Sequence, residues 1–433
     1  MGNVNNASVP KVLLIAEAAN PEWVSVPLVG WSLAFALRNI CDVHIVTQIR
    51  NRDAIVRAGL VEGRDFTAID SEAFARPAWK LGNKLRMGEG KSWTLLQAVN
   101  AASYPYFERL VWAKFGDRIR RGEFDIVHRI TPLSPTISSS LAGRCHNAEV
   151  PFILGPLNGG VPWPKGFDAE RIREREWLSY VRSAYKIMPG RRATLNKTAA
   201  IIVGSHHTES EIPRSLRDKT IYIPENAINP ERFSKATTYP NGPLRACFVG
   251  RMVAYKGPDM LLEAAKPLLR DGRMTLDMIG DGPLLEELKA QVTADGTADC
   301  VRFHGWVAHD GIQDIITNCS LLAFPSIREF GGGVVLEAMA LGIVPLIVDY
   351  AGPSELVKDG LGFKVPLENR AQIIADFRQQ LEQIEATPEM LPKIGKAARQ
   401  HVLQMFTWEK KARQVAQVYD WVLGRQDEKP DFF

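Results

Sequence analysis

The chain has 433 residues, of which 45% are hydrophobic and 24% are charged, and its net charge at pH 7 is +4. This length exceeds what one hydrophobic core usually serves, so we expect two domains of roughly 200 residues each. The composition is that of a globular protein and argues against a fibrous or disordered chain. The mild charge gives no indication of nucleic-acid binding.

The cysteine pattern and the hydropathy indicate the cellular compartment of the protein. The five cysteines include no Cys-x-x-Cys pair, and no histidine cluster has metal-ligand spacing. This pattern predicts reduced thiols, without disulfides or a zinc site. The first residues lack the features of a signal peptide, and no apolar run approaches the roughly 18 residues that span a bilayer. We therefore expect a cytoplasmic protein.

In the first half, short apolar runs alternate with helix-length segments. A helical pattern covers Trp31 to Leu37, and the runs that predict strands are 11–16, 42–46, 125–128, 151–155 and 199–203. This alternation is typical of a doubly wound parallel sheet, in which helices cover both faces.

A basic and aromatic segment lies inside this half, from Arg76 to Arg121. It carries ten basic residues against three acidic ones, a net charge of +7, with seven aromatic residues interleaved. One interpretation is a pair of amphipathic helices with aromatic side chains in the core and charges in solvent. The other is a surface that lies on anionic lipid, as a peripheral protein of the inner membrane face, or that grips an acidic acceptor.

The same pattern restarts after a turn-rich stretch at 224–230. Strands are predicted at 245–250, 275–280, 301–303, 320–324 and 344–348, with helices at 258–269, 284–292, 310–316 and 334–340. We predict two Rossmann-like domains, 1–225 and 226–405, facing a cleft. The apolar spacing after Trp408 predicts a C-terminal helix, within 406–424, that packs back on the first domain.

The stretch from Glu329 to Glu337 has the strongest chemical pattern. Gly331, Gly332 and Gly333 lie between a predicted strand and a predicted helix, where backbone N–H groups can approach a ligand. The two carboxylates can then face one cleft, one toward a sugar and one toward a ribose diol. Taken alone, the pattern is also that of an ordinary glycine-rich turn.

A second motif, Gly250-Arg251 followed by Lys256, comes after the first strand of the second half. Ligands of doubly wound sheets bind beyond the carboxyl ends of the strands. Two cations at this edge suit a diphosphate leaving group. Gly280 ends the next strand and indicates another close backbone approach.

A loop rich in Gly, Pro and Trp follows the strand at 151–155. By the same topological rule it faces the ligand edge of the first domain. We interpret it as an acceptor-binding loop with Asn158, Gly159, Gly160 and Trp163, and a structural turn is the alternative.

Taken in their order along the chain, these motifs resemble those of the retaining glycosyltransferases of family 4, which have the GT-B fold. The resemblance rests on Gly250-Arg251 with Lys256-Gly257, on Glu329-x7-Glu337, on Phe303-His-Gly-Trp-Val307, on the hinge-like Ile223-Pro-Glu-Asn226 and on Phe406-Thr-Trp408. It covers about 200 residues of the second half.

The resemblance implies roles for these residues. Arg251 and Lys256 would bind the donor diphosphate, Glu329 the sugar and Glu337 the nucleotide ribose. The three glycines, with Gly250, Gly280 and Val307, would line the donor site. In the first half, Gly30 would contact donor phosphate and His128 would serve acceptor-side chemistry, with a buried structural histidine as the alternative.

The family transfers a sugar with retention, by same-face attack or through a covalent intermediate, from a UDP- or GDP-linked donor, without a cofactor or metal ion. The chain departs from the family pattern at Gly331, where an aromatic residue is usual. A glycan or lipid-linked acceptor in surface polysaccharide or glycolipid assembly is our first hypothesis. A small natural-product acceptor, a sugar-nucleotide epimerase and a non-catalytic nucleotide-sugar-binding module are the alternatives.

Overall fold

The computed structural model describes residues 9–72, 93–174 and 190–433, and the side chains of these residues except 93–102 and 309–310. The chain forms two compact units. The first comprises Met1–Gly160, Tyr180–Glu225 and Trp408–Phe433, and the second comprises Val161–Ser179 and Asn226–Thr407. The segment after Gly160 therefore groups with the second unit, whereas the sequence analysis places it in the first domain.

The first unit contains a seven-stranded parallel sheet in the order β3-β2-β1-β4-β5-β6-β7. Its strands are β1 (Lys11–Ala16), β2 (Asp42–Gln48), β3 (Phe66–Ile69), β4 (Ile126–Thr131), β5 (Phe152–Leu157), β6 (Ala200–Val203) and β7 (Thr220–Tyr222). The five strands predicted for this half are confirmed. The sequence analysis missed the two edge strands β3 and β7, which are short.

Helices cover both faces of this sheet, as the doubly wound pattern predicts. They are α1 (Val26–Arg38), α2 (Arg52–Arg57), α3 (Trp93–Arg120), α4 (Ser140–Asn147), α6 (Arg191–Lys197) and α7 (His206–Ser210), with α5 assigned below to the second unit. Alternate residues of the central strands face two separate hydrophobic cores, one on each side of the sheet.

The described part of the basic and aromatic segment is the helix α3. Tyr104, Phe107 and Phe115 are buried in the core, while the guanidinium of Arg118 lies over the ring of Phe115, 5.5 Å from its centroid. These side chains fit the interpretation of an amphipathic helix with an aromatic core. The basic residues at positions 76–91 lie outside the described residues.

The predicted C-terminal helix is α15 (Trp408–Val422), and it packs on the first unit against α1, as expected. Ala412, Val415, Val418 and Tyr419 enter the core on that side of the sheet. The aromatic Tyr419 also reaches the central strands through its hydroxyl group.

The second unit contains a six-stranded parallel sheet in the order β10-β9-β8-β11-β12-β13. Its strands are β8 (Leu244–Val249), β9 (Met274–Ile279), β10 (Val301–Gly305), β11 (Leu321–Phe324), β12 (Val344–Val348) and β13 (Phe363–Val365). All but the three-residue edge strand β13 are predicted from the sequence.

The helices of this unit enclose one large apolar core. They are α5 (Asp168–Arg173), α8 (Pro258–Arg270), α9 (Leu285–Ala294), α10 (His309–Ile316), α11 (Gly333–Ala340), α12 (Ala351–Leu356), α13 (Arg370–Ala386) and α14 (Leu391–Met405). No helix in the described ranges combines the length and the apolar character that a bilayer crossing requires. All five cysteines are free thiols, as the sequence predicts.

The hydrogen bond between Tyr419 and His128 gives a test of how the C-terminal helix is attached. The Tyr419→Phe substitution keeps the ring but leaves Nδ1 of the buried His128 without its donor. Because a buried acceptor without a partner costs about 1–3 kcal/mol, we expect the free energy of unfolding of the first unit to fall by that amount. Urea unfolding followed by circular dichroism measures it, and an unchanged midpoint would contradict this attachment.

Candidate functional site

The second sheet has a point where strand order reverses, between β8 and β11. The chain leaves these two neighbouring strands in opposite directions, which opens a crevice at their carboxyl ends, where doubly wound folds bind ligands. The loop after β8 carries Arg251 and Lys256, and the loop after β11 carries Glu329. The two motifs that the sequence analysis places at one sheet edge therefore do lie at one edge.

Lys256 and Glu329 form an ion pair across this crevice. Both side chains are about one-sixth exposed, and the ammonium of Lys256 lies 5.2 Å from the ring centroid of Phe324. Burial alone would lower the pKa of Lys256, but the Glu329 carboxylate and the Tyr255 hydroxyl raise it, so the pKa lies above its ordinary value. Lys256 is therefore a fixed cation at neutral pH.

The glycines after Glu329 shape the start of the helix α11. Gly332 has φ 62°, in the left-handed region that suits glycine, and a Cβ there would lie 2.9 Å from Cδ1 of Leu356. Gly331 precedes it, and Gly333 is the first residue of the helix. The N–H of Val335 donates to the carbonyl oxygen of Gly332 at 2.9 Å, and the amino end of the helix gives this edge a positive potential. Glu337 lies about one turn further along and is half-buried.

Gly280 is required by a close backbone approach. Its φ is 133°, and a Cβ at this position would lie 2.0 Å from the carbonyl oxygen of Gly250. The N–H of Gly250 donates to Ile279 O at 2.9 Å, which holds the two strand ends together. Gly280, predicted to let the backbone come close to a ligand, thus lets the backbone at Gly250 come close to its own.

The remaining donor-side predictions lie around the same edge. Arg251 is exposed, and Val307 is partly buried against the core. On β10, the strand that precedes Val307, Nε2 of His304 lies 2.6 Å from Oδ1 of Asp277 on the neighbouring strand β9. This contact gives His304 a structural role within the sheet.

A segment from the first half of the sequence completes this part of the second unit. The backbone oxygen of Val161 accepts from Nε of Arg328 at 3.2 Å, and Trp163 meets Tyr255 edge to face, with 6.1 Å between ring centroids. Further along, Glu174 accepts from the N–H of Ala254 at 3.0 Å. The segment 161–174 therefore packs on the loop that carries Lys256.

Arg328 is the residue that joins this segment to the loop of Glu329. It is buried, and its guanidinium carbon lies 5.1 Å from the ring centroid of Trp163 and 5.4 Å from that of Phe330. The sequence analysis assigns no role to Arg328. Its place directly before Glu329 is the only signal in the sequence, because its partner Trp163 is 165 residues away.

In the first unit, His128 lies in the interior and not at a ligand surface. Its Nε2 must donate to the carbonyl oxygen of Gly155, at 2.7 Å, and Tyr419 then donates to Nδ1, also at 2.7 Å. Burial lowers the pKa of His128 to about 4, so the ring is neutral at pH 7. Both ring nitrogens are occupied, and the geometry supports the structural alternative over acceptor chemistry.

Gly30 also has a structural explanation. It lies inside α1, where a Cβ would approach the carbonyl oxygen of Ala18 to 2.2 Å and a methyl carbon of Thr131 to 3.0 Å. Only glycine lets the helix pack this closely on the loop after β1. The position is at the carboxyl ends of β1 and β4, so a ligand contact for Gly30 stays a prediction.

The predicted acceptor residues are divided between the two units. Asn158 follows β5, its Oδ1 accepts from the N–H of Gly160 at 3.0 Å, and its buried Nδ2 has no hydrogen-bond partner. Gly159 donates to Oγ1 of Thr208, at 3.0 Å. These three residues belong to the first unit, whereas Trp163 belongs to the second, beside Tyr255.

Comparisons with known proteins agree with the resemblance seen in the motifs. Residues 230–401 match the sequence model of the family described as "Glycosyl transferases group 1". This match lies within the second unit and covers less than half of the chain. It includes Arg251, Lys256, Glu329 and Glu337.

Two curated relatives are similar to the chain over part of its length. A D-inositol 3-phosphate glycosyltransferase of Streptomyces bingchenggensis (strain BCW-1) is 29% identical over 242 residues, which cover 49% of this chain and 51% of the relative. The amylovoran biosynthesis glycosyltransferase AmsK of Erwinia amylovora is 27% identical over 208 residues, covering 46% and 50% respectively. The chain thus spans about half the length of the curated relatives it matches.

A solved structure shares its fold with most of the chain. Anabaena Alr3699/HepE in complex with UDP matches with a TM-score of 0.60 at 15% sequence identity, covering 94% of this chain and 98% of that chain. The shared fold is GT-B, two Rossmann-like domains with parallel sheets, as the resemblance implies.

The contacts of Arg328 generate a prediction for the second unit. Lysine keeps the charge but has no planar group to stack between Trp163 and Phe330, so Arg328→Lys should reduce the free energy of unfolding by roughly 1–2 kcal/mol. Urea unfolding measures the loss, and the exposed Arg302→Lys is the control. Equal stability of the two variants would contradict the role given to Arg328.

Proposed function

We propose that the chain is a retaining glycosyltransferase that moves a sugar from a nucleotide-diphosphate sugar to an acceptor hydroxyl. The observation that carries the proposal is the Lys256–Glu329 ion pair at the strand-order reversal of the second unit. The family match over residues 230–401 and the two glycosyltransferase relatives support it.

In this proposal the donor diphosphate lies against Arg251 and Lys256. Lys256 is held as a cation, and Arg251 is exposed at the same loop. The bond between the anomeric carbon and the diphosphate breaks, and the nucleoside diphosphate leaves with the electron pair. Two cations stabilise the negative charge that develops on the leaving diphosphate. Such electrostatic stabilisation is usually the largest single contribution to the rate enhancement of an enzyme. These side chains supply the charge without a metal ion.

The sugar and the ribose lie on the other side of the crevice. Glu329 leaves its contact with Lys256 when the diphosphate binds and accepts hydrogen bonds from sugar hydroxyls. Glu337, one turn into α11, accepts from the ribose diol, and the N–H groups of Gly332 and Gly333 face the anionic donor. The acceptor oxygen then bonds to the anomeric carbon, and its proton leaves to the departing diphosphate.

The acceptor class in this proposal is a glycan or lipid-linked glycan in polysaccharide or glycolipid assembly. The name of the Erwinia relative, an amylovoran biosynthesis glycosyltransferase, supports this class. UDP is the first nucleotide to test, because a protein of the same fold has been solved with UDP.

The role of Glu329 is tested by an isosteric change. Glu329→Gln keeps the shape but removes the charge that pairs with Lys256 and binds the sugar. We expect the transfer rate to fall by about 10²–10³-fold, while affinity for UDP changes less than tenfold. Product mass spectrometry with a panel of UDP- and GDP-sugars and cell-envelope acceptors gives the rate, and calorimetry gives the affinity.

The matched control is Glu263→Gln, a surface carboxylate on α8 that pairs with Arg370. This variant should transfer sugar at the unaltered rate. Full activity of Glu329→Gln would contradict its role, and no donor turnover by the unaltered protein would contradict the transferase assignment.

A further inference from the structure

The first unit has its own point of strand-order reversal, between β1 and β4. Arg129 lies in β4, one residue after His128, with Ile15 of β1 as its register partner. Because alternate residues of a strand face opposite sides, His128 faces the helices α1 and α15, and Arg129 faces the core beneath α3 and α4. Arg129 lies two residues before the carboxyl end of β4, one of the two strands between which the strand order reverses, and its side chain reaches Ile137 in the loop after β4. Doubly wound folds place ligands beyond this edge of the sheet.

Arg129 is fully buried, yet most of its hydrogen-bonding capacity is unused. Nη1 donates to the carbonyl oxygen of Ile137 at 2.9 Å, whereas Nε and Nη2 have no hydrogen-bond partner among the described residues. These two nitrogens form one edge of the guanidinium, and that edge binds carboxylate or phosphate oxygens in pairs. A buried charge without such a partner costs several kcal/mol, so this arrangement needs an explanation.

A second unused group lies beside it. The guanidinium carbon of Arg129 lies 5.5 Å from the ring centroid of Tyr104. The Tyr104 hydroxyl is buried close to the Glu108 carboxylate and makes no hydrogen bond of good geometry with the described residues. A hydroxyl and a guanidinium edge together offer three donors to one oxyanion. On the next strand, the Nδ2 group of Asn158 is also buried and unpartnered.

The carboxylates in this region are engaged elsewhere. Both oxygens of Glu108 bind Ser139 and Ser140, and one oxygen of Glu17 lies 3.1 Å from Nη2 of Arg50. Burial, followed by the charge of Glu108, raises the pKa of Tyr104, so its hydroxyl is a neutral donor at pH 7. Among the described residues, no carboxylate lies within ion-pair distance of Arg129.

We propose that the Nε–Nη2 edge of Arg129, with the Tyr104 hydroxyl, binds an oxyanion of the acceptor, a carboxylate or a phosphate. The assignment to the acceptor rests on the proposed function, in which the second unit binds the donor. It narrows the acceptor class from glycans in general to acidic sugars or phosphorylated acceptors. The anion would fix the orientation of the acceptor, since two parallel hydrogen bonds define a plane.

Small anions test the site without knowledge of the acceptor. The full-length protein is first saturated with UDP, which occupies the diphosphate site of the second unit. Inorganic phosphate and acetate are then titrated separately, by calorimetry. We expect at least one of them to bind with a stoichiometry of one, and the stronger of the two identifies the source of the oxyanion.

Variants assign that binding to Arg129. Arg129→Gln removes the charged edge and should weaken anion binding at least tenfold. Arg129→Lys keeps the charge but not the paired donors, so its anion affinity should lie between those of Arg129→Gln and the unaltered protein. Arg118→Gln, which removes an arginine from α3 that pairs with Glu123, is the matched control and should bind normally. Circular dichroism and UDP binding show that each variant folds.

Acceptor kinetics give the second measurement. With matched glucuronoside and glucoside acceptors, Arg129→Gln should raise the KM for the acidic acceptor at least tenfold and leave the KM for the donor unchanged. No anion binding by the unaltered protein, or equal binding by Arg129→Gln, overturns the inference. Because the anion titration needs no turnover, failure of sugar transfer alone would contradict the proposed function and leave this result standing.

Discussion

Parallel strands end at one edge of their sheet, and in the second unit two neighbouring strands bring opposite charges together there. Lys256 follows β8 and Glu329 follows β11, and neither charge would be stable half-buried without the other. The loops that carry them are shaped around this contact. Gly257 has φ 70° and a prospective Cβ 2.7 Å from the carbonyl oxygen of Pro325, and Gly332, which caps α11, has φ 62°. In the proposed function a diphosphate replaces the carboxylate beside Lys256, because it too supplies negatively charged oxygens that pair with an ammonium group.

The position of a residue in the sequence does not always show to which unit it belongs. The segment 161–174 lies between strands of the first unit along the chain but packs on the loops of the second unit that carry Lys256 and Glu329. Trp163 therefore supports Tyr255 and Arg328 at the proposed donor site. Asn158 and Arg129, near the carboxyl edge of the first sheet, have buried donors without a partner among the described residues, and we place the proposed acceptor site there.

The sequence predicts ten of the thirteen strands in the described part of the chain, because buried parallel strands are continuous apolar runs with clear ends. The short edge strands β3, β7 and β13 have no such pattern. At the site, the motifs placed Lys256 and Glu329 together correctly, since both follow strands and parallel strands share an edge. For His128 the sequence left acceptor chemistry and a buried structural role open, and for Arg328 it indicated no role. The deciding contacts are distant in the sequence: Tyr419 for the first and Trp163 for the second.

The central claim is that the crevice at Lys256 and Glu329 holds the donor diphosphate. A crystal structure of the full chain with UDP tests it most directly. The account predicts the β-phosphate within hydrogen-bond distance of Lys256 and Arg251, the ribose at Glu337, and Glu329 released from Lys256. A structure in which UDP binds elsewhere, with the Lys256–Glu329 ion pair intact, would contradict it.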